Sequence, residues 1–142
     1  MPTKHGSARY EGFGKDGKGH VSTESGILKD QPYGFNTRFE DAPGTNPEEL
    51  IAAAHASCFT MATSFALAKA GHADGTLDTQ CAVTLEKDGE GFTVTKSALT
   101  LSAQIPGIDR AEFERIADEA KLNCPISKLL NCEITLERTL AG

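Results

Sequence analysis

Residues 45–59 read Thr45-Asn46-Pro47-Glu48-Glu49-Leu50-Ile51-Ala52-Ala53-Ala54-His55-Ala56-Ser57-Cys58-Phe59, and they have the grammar of a capped helix. Asn46 suits the N-cap because its side-chain oxygen accepts from an otherwise unpaired amide. Pro47 suits the first helical position, where its missing N–H costs nothing, and Glu49 is placed to close a capping box. Leu50, Ala54, Met61 and Phe65, with Cys58 on the same side, are expected to form the apolar face until Gly71 supplies a left-handed stop. The helix so predicted has roughly 24 residues and a length of about 36 Å. In a chain of 142 residues that makes it the central element. Its alanine-rich first half lets another backbone approach closely.

Working outward, segments 7–12 and 20–25 flank a glycine-rich turn at 14–19 and predict a hairpin. Tyr33, Phe35, Thr37 and Phe39 alternate with Asn36 and Arg38, the period of a strand. Downstream, segments 79–85 and 92–104 around a turn at 87–91 predict a second hairpin. The apolar set of its second strand shifts from Phe92, Val94 and Ala98 to Leu99, Leu101 and Ile105, a parity change that points to a bulge or a shift between surfaces at no particular residue. Pro106-Gly107 breaks that strand. Asp109 and Glu112 have the spacing of a capping box for an amphipathic helix ending near Asn123, Pro125 opens a short further helix, and 132–140 reads as the last strand. The order ββ(β)αββααβ places the chain in the α+β class, with antiparallel sheets around a long central helix in a single domain spanning 1–142.

Fourteen Lys and Arg against twenty Asp and Glu leave a net charge of −6. With no basic cluster, a nucleic-acid partner is excluded on electrostatic grounds. No uninterrupted apolar run reaches the length of a membrane span, and residues 1–6 lack the apolar core of a signal peptide, so a cytoplasmic protein without a membrane partner is expected. The four cysteines, at 58, 81, 124 and 132, show neither a CxxC pair nor zinc spacing, and no metal is expected. The ordinary role of such residues in a reducing compartment is that of a small buried hydrophobe.

Two cysteines depart from that default. Cys124 precedes Pro125 and so takes the N-cap of the short helix, where unpaired amides and the helix dipole favour a thiolate; the plain alternative is a capping or core residue. Cys58 lies mid-helix, where desolvation raises its pKa and leaves it inert unless a cation reaches it. Arg38 is the candidate cation, and Glu48, freer than the capping Glu49, is its candidate carboxylate; a surface Arg and a first-turn Glu are the plain alternatives. Glu48 and Cys58 are ten residues apart, which on a straight helix is about 15 Å along the axis and roughly 80° around it. They cannot meet within one helix. A shared site requires a broken helix or two copies crossing about a twofold axis, an isologous dimer.

Asn36-Thr37-Arg38-Phe39-Glu40, Gly44-Thr45-Asn46-Pro47-Glu48-Glu49-Leu50, Ala53-Ala54-His55-Ala56-Ser57-Cys58-Phe59 and Asn123-Cys124-Pro125-Ile126-Ser127 resemble the OsmC/Ohr family of thiol-dependent hydroperoxide reductases. Segments 19–26 and 31–36 are similar to the OsmC branch, osmotically inducible protein C, rather than to the Ohr branch, and the resemblance covers nearly the whole chain. It implies an intertwined homodimer with two interfacial sites and a peroxidase acting in oxidative or osmotic stress defence. It also implies roles: Cys58 as the peroxidatic thiolate, Cys124 as the resolving thiol that forms a disulfide with it, Arg38 as the group that stabilises the thiolate and polarises the peroxide, and Glu48 as the holder of Arg38. No metal, flavin, haem or other cofactor is implied. The partners implied are an organic hydroperoxide, with hydrogen peroxide as a further candidate, and a dithiol reductant, for which a lipoyl protein is suggested by the Ohr branch.

Tyr33, Phe35, Phe39 and Phe59 are candidates to line an apolar substrate pocket, core packing being the alternative for each. His55, three residues before Cys58, reads as a packed or hydrogen-bonded helix histidine rather than a general base. Cys81 and Cys132 read as core. A protein of a different class, a non-catalytic stress or apolar-ligand-binding protein on the same fold, is the rival reading.

Overall fold

The computed structural model describes residues 1–142, which divide into two compact units, Met1–Leu50 and Ile51–Gly142. In the first, β1 (Gly6–Glu11) and β2 (Lys18–Thr23) pair antiparallel around a one-turn 3-10 helix at Gly14–Asp16, and β3 (Gln31–Tyr33) adds antiparallel to β2. The strand expected across 33–39 stops at Tyr33. Residues Phe35–Phe39 form a short helix instead, α1. Its cause is local: Thr37 Oγ1 accepts from the Gly34 amide at 2.8 Å and donates to the Gly34 carbonyl at 3.1 Å, while the Arg38 amide bonds the Gly34 carbonyl. These bonds take the groups that a strand ladder would need.

The long helix α2 spans Pro47–Lys69, with its first turn in the first unit and the remainder in the second. Asn46 caps it, Oδ1 accepting from the Glu49 amide at 2.8 Å. The reciprocal half of the expected capping box is replaced, because the Glu49 carboxylate accepts from Thr45 Oγ1 at 2.7 Å. At the far end Gly71, with φ of 97°, turns the chain while the His72 amide bonds the Leu67 carbonyl at 2.9 Å.

In the second unit β4 (Thr76–Asp88) and β5 (Gly91–Gln104) form an antiparallel hairpin. The register shifts where Thr84 faces Lys96 and Leu85 faces Val94, so Thr95 is the extra residue that flips the apolar parity of β5. Helices α3 (Arg110–Asn123) and α4 (Pro125–Leu129) carry the chain back to β6 (Glu133–Leu140), which joins β5 in parallel. The second sheet is therefore mixed, a correction to the all-antiparallel expectation. A parallel neighbour needs a long crossover, and α3 and α4 supply it. Asp109 makes no side-chain cap bond, and the Glu112 carboxylate, which the box would turn back onto the Asp109 amide, engages His72 instead.

The core of this unit joins Phe59 and Leu67 of α2 to Leu99 and Leu101 of β5 and to Phe113, Ile116, Ala117 and Ala120 of α3. The buried stripe of α2 is thus His55, Phe59, Thr63 and Leu67, not the stripe of Ala54, Met61 and Phe65. Met61 is 61% and Phe65 71% exposed. By length and composition α2 could cross a membrane, but its two buried polar side chains are satisfied within the protein: His55 by serines, Thr63 by the Phe59 carbonyl. That is the pattern of a core helix.

Candidate active site

Arg38 and Glu48, both in the first unit, form a two-point ion pair. Arg38 Nε donates to Glu48 Oε1 at 2.8 Å and Nη2 to Oε2 at 2.7 Å. The start of α2 is set against α1 by Asn46, whose Nδ2 donates to the Thr37 carbonyl at 3.1 Å, and this fixes the spacing at which the fork closes. The Arg38 side chain is 35% exposed and that of Glu48 12%. The hydrogen bonds that Arg38 donates to Glu48 lift the guanidinium pKa further above its already high value, against a smaller opposing effect of burial. Arg38 is thus a fixed, permanent cation with one face still open to solvent. Its guanidinium also lies over the Phe39 ring, 5.7 Å from the centroid.

The expected aromatic residues separate. Phe35 and Phe39 contact each other across one turn of α1, centroids 5.1 Å apart. Tyr33 packs edge-on against Tyr10 and lines an apolar hollow of about 220 Å³ with Ala8, Val21, Pro47 and Leu50. Phe59, with 0% exposure, belongs to the core of the second unit; its place is behind the site rather than in a pocket wall.

In the second unit all four cysteines are free thiols. Cys124 is the N-cap of α4 and fully buried. Cys58 packs against the core cluster that contains Cys124, and the Cys124 side chain and the Ile126 backbone lie close enough to act on its thiol. The sequence assigns the amides at the start of α4 to Cys124 itself. The structure gives Cys124 no side-chain cap bond, and the Ile126 backbone acts instead on the Cys58 thiol, lowering its pKa. Nothing in the sequence marks that residue except Pro125, which sets the start of the helix one residue before it.

Burial pushes the Cys58 thiol above its ordinary pKa and the Cys124 side chain adds to the rise, while the Ile126 amide opposes both. The groups acting on Cys58 include no cation. Such a thiol is a poor nucleophile until a positive charge reaches it. Two neighbouring thiols can pass between dithiol and disulfide, one displacing the oxygen from the other once that other has been oxidised.

His55 is fully buried, as its helix position predicts, with Nδ1 2.6 Å from Ser97 Oγ and Nε2 2.7 Å from Ser127 Oγ. Desolvation lowers its pKa, so the ring is neutral. Cys81 lies 3.2 Å from Ser97 Oγ, and burial pushes its thiol up. Ser97 and Ser127 have no catalytic signature in the sequence; the available signal is spacing, since His55 precedes Cys58 by three residues and Ser127 follows Cys124 by three.

The family model described as "OsmC-like protein" matches residues 39–138. The chain is 54% identical over 137 residues to the Peroxiredoxin OsmC of Escherichia coli strain K12, with 96% of each chain covered. It is 29% identical over 122 residues to the organic hydroperoxide resistance protein OhrB of Bacillus subtilis strain 168, with 84% of this chain and 88% of the relative covered. The crystal structure of the B. subtilis OhrB protein matches 96% of this chain and 98% of its own, at a TM-score of 0.72 and 28% identity.

Proposed function

The chain belongs to the OsmC family, and from that premise we propose that it is a thiol-dependent peroxidase that reduces organic hydroperoxides to alcohols in oxidative stress defence. The observation that carries the reading is the closeness of Cys58 and Cys124, packed together in the core and near enough to act on one another beside the Ile126 backbone. Cys58 attacks the distal oxygen of the peroxide; the O–O bond breaks, the alkoxide leaves as the alcohol after taking a proton, and Cys58 becomes a sulfenic acid. The Cys124 sulfur then attacks the Cys58 sulfur. The S–O bond breaks, water leaves, and a disulfide remains. An external dithiol, with a lipoyl protein as one candidate, returns both thiols.

Cys58 needs a cation, and Arg38 is the one suited to the task. Arg38 is held by Glu48, and Glu48 lies on α2 about 15 Å along the axis from Cys58. We therefore place the working site between two copies in an isologous homodimer, with Arg38 and Glu48 of one copy serving Cys58 of the other. In support, Met61 and Phe65 of α2 are exposed beside Ala53 and Ala56 along one open hollow, an apolar surface of the kind that a second copy would cover. Arg38 there stabilises the thiolate and polarises the peroxide, while Tyr33, Phe35 and Phe39 line the approach of an apolar substrate, with Phe59 packed behind. The match across both units supports their acting as one domain, and the cytoplasm is the compartment in which free thiols of this kind persist.

An apolar hollow alone would equally suit a passive carrier of an apolar ligand; two neighbouring thiols favour turnover. Steady-state assays with cumene hydroperoxide, tert-butyl hydroperoxide and hydrogen peroxide, each with lipoyl, thioredoxin or glutathione reductants, separate the two. The peroxidase turns over with an organic hydroperoxide and a dithiol and loses this in Cys58→Ser. Equal rates in Cys58→Ser would remove Cys58 from the chemistry, and no turnover with any pair would leave the passive carrier.

A further inference from the structure

The Cys58 and Cys124 sulfurs sit on two helices, α2 and α4, and α4 is only five residues long. So short a helix has little stability of its own and keeps its position through what it is tied to. One tie is the imidazole of His55. Its Nε2 meets Ser127 Oγ of α4 at 2.7 Å and its Nδ1 meets Ser97 Oγ of β5 at 2.6 Å, and both serines are buried. His55 lies one turn before Cys58 and Ser127 one turn after Cys124, so this bridge runs beside the two sulfurs. Ile126, whose backbone acts on the Cys58 thiol, is the residue next to Ser127.

We infer that His55 is a positioning residue for the Cys58 and Cys124 pair, holding α4 on α2 through Ser127 so that the Cys124 sulfur and the Ile126 amide stay at the Cys58 sulfur. The inference rests on the reading of Cys58 and Cys124 as the redox pair. A neutral imidazole fits the role. It offers one donor and one acceptor, each serine hydroxyl takes the complementary part, and both tautomers are satisfied. Burial keeps the ring in that neutral form. Cys81 of β4 adds to the far side of the ring, its sulfur 3.2 Å from Ser97 Oγ and 3.9 Å from His55 Nδ1. It meets the Nδ1 edge of the ring and not the Nε2 edge that ties α4. The step served is disulfide closure: the Cys124 sulfur bonds the Cys58 sulfenic sulfur, the S–O bond breaks, and the hydroxyl leaves with the thiol proton as water.

The test measures closure without relying on peroxide. The full chain is equilibrated in graded glutathione buffers, where oxidised glutathione plus the dithiol gives the disulfide plus two reduced glutathiones. Free thiols are then alkylated and the Cys58–Cys124 disulfide is quantified by mass spectrometry. Ser127→Ala is expected to shift the equilibrium toward the dithiol by about tenfold, the size of one lost buried hydrogen bond. His55→Gln shifts it the same way and decides the matter if Ser127→Ala does not fold. Cys81→Ser stays at the wild-type value. A general loss of packing would lower the melting temperature without moving this equilibrium. Closure at the wild-type equilibrium in Ser127→Ala and His55→Gln, or an equal shift in Cys81→Ser, overturns the inference. A second arm adds one equivalent of cumene hydroperoxide to the wild type. Closure in glutathione without reduction of the peroxide contradicts the peroxidase reading alone, whereas no Cys58–Cys124 disulfide under either condition overturns both.

Discussion

Arg38 grips Glu48 through two parallel hydrogen bonds, at 2.8 and 2.7 Å, across the junction between α1 and the first turn of α2. A two-point fork of this kind fixes the plane of the guanidinium as well as its position. One cation is thereby aimed while a third of its side chain stays open, and Cys58 has no cation among the groups that act on it.

Removing that cation should move the pH dependence of the first step. Burial raises the Cys58 pKa, and an adjacent guanidinium lowers it. In Arg38→Met the thiolate then forms only at higher pH, so its fraction at neutral pH falls about tenfold per unit of rise. The variant should be strongly impaired at pH 7 and regain rate as the pH is raised past the ordinary thiol range. Stopped-flow oxidation of Cys58 by cumene hydroperoxide between pH 5 and about 10 checks this. A profile of unchanged midpoint would contradict the role given to Arg38. Glu48→Gln should act in the same direction, less strongly, because it loosens the guanidinium without removing it. Its cost in stability, discounted for the exposure of Arg38, is about 1 kcal/mol or less by thermal unfolding.

Arg38→Met and Cys58→Ser should complement each other. With the site shared between copies as proposed, each alone lacks one half of every site. In a mixed dimer the chain carrying Arg38→Met contributes an intact Cys58 and its partner contributes an intact Arg38, so one of two sites works. Random reassortment of equal amounts makes half of the dimers mixed, and about a quarter of wild-type peroxidase activity should return. If Arg38 and Cys58 of the same chain act together, mixing restores nothing.

Charge on the outward face of α2 should separate the copies. Met61 and Phe65 lie on that face, and a lysine in place of each would set like charges against their twofold mates. Sedimentation of Met61→Lys with Phe65→Lys should report a monomer where the wild type is a dimer, with peroxidase activity lost at the concentrations where the monomer prevails. A wild-type monomer, or a fully active monomeric variant, would be inconsistent with a site shared between copies.

Much of this arrangement is legible in the sequence where local chemistry decides. Asn46, Pro47 and Gly71 mark the ends of α2 because caps and left-handed turns are short-range effects, and the parity change along β5 announces a bulge, although Ala98, grouped with Phe92 and Val94, conceals its position at Thr95. Where two periods coincide, the sequence misleads. Phe35 and Phe39, four residues apart, share a face in a strand and in a helix alike, and only the bonds of Thr37 to Gly34 choose the helix. The face of α2 is misread for a different reason. Alanines leave little contrast, and its buried stripe contains the polar His55 and Thr63, whose partners come from elements far along the chain or from the helix's own backbone. Effects such as that of the Ile126 backbone on Cys58 depend on the packing of α4, which no local pattern contains.

The central claim is that Cys58 and Cys124 are one redox pair. The most direct measurement exposes the reduced protein to one equivalent of cumene hydroperoxide, counts free thiols and maps the disulfides by mass spectrometry. Of the four free thiols, two should disappear as a single Cys58–Cys124 disulfide, with one equivalent of the alcohol released. Four thiols left intact, or a disulfide formed elsewhere, would contradict the claim.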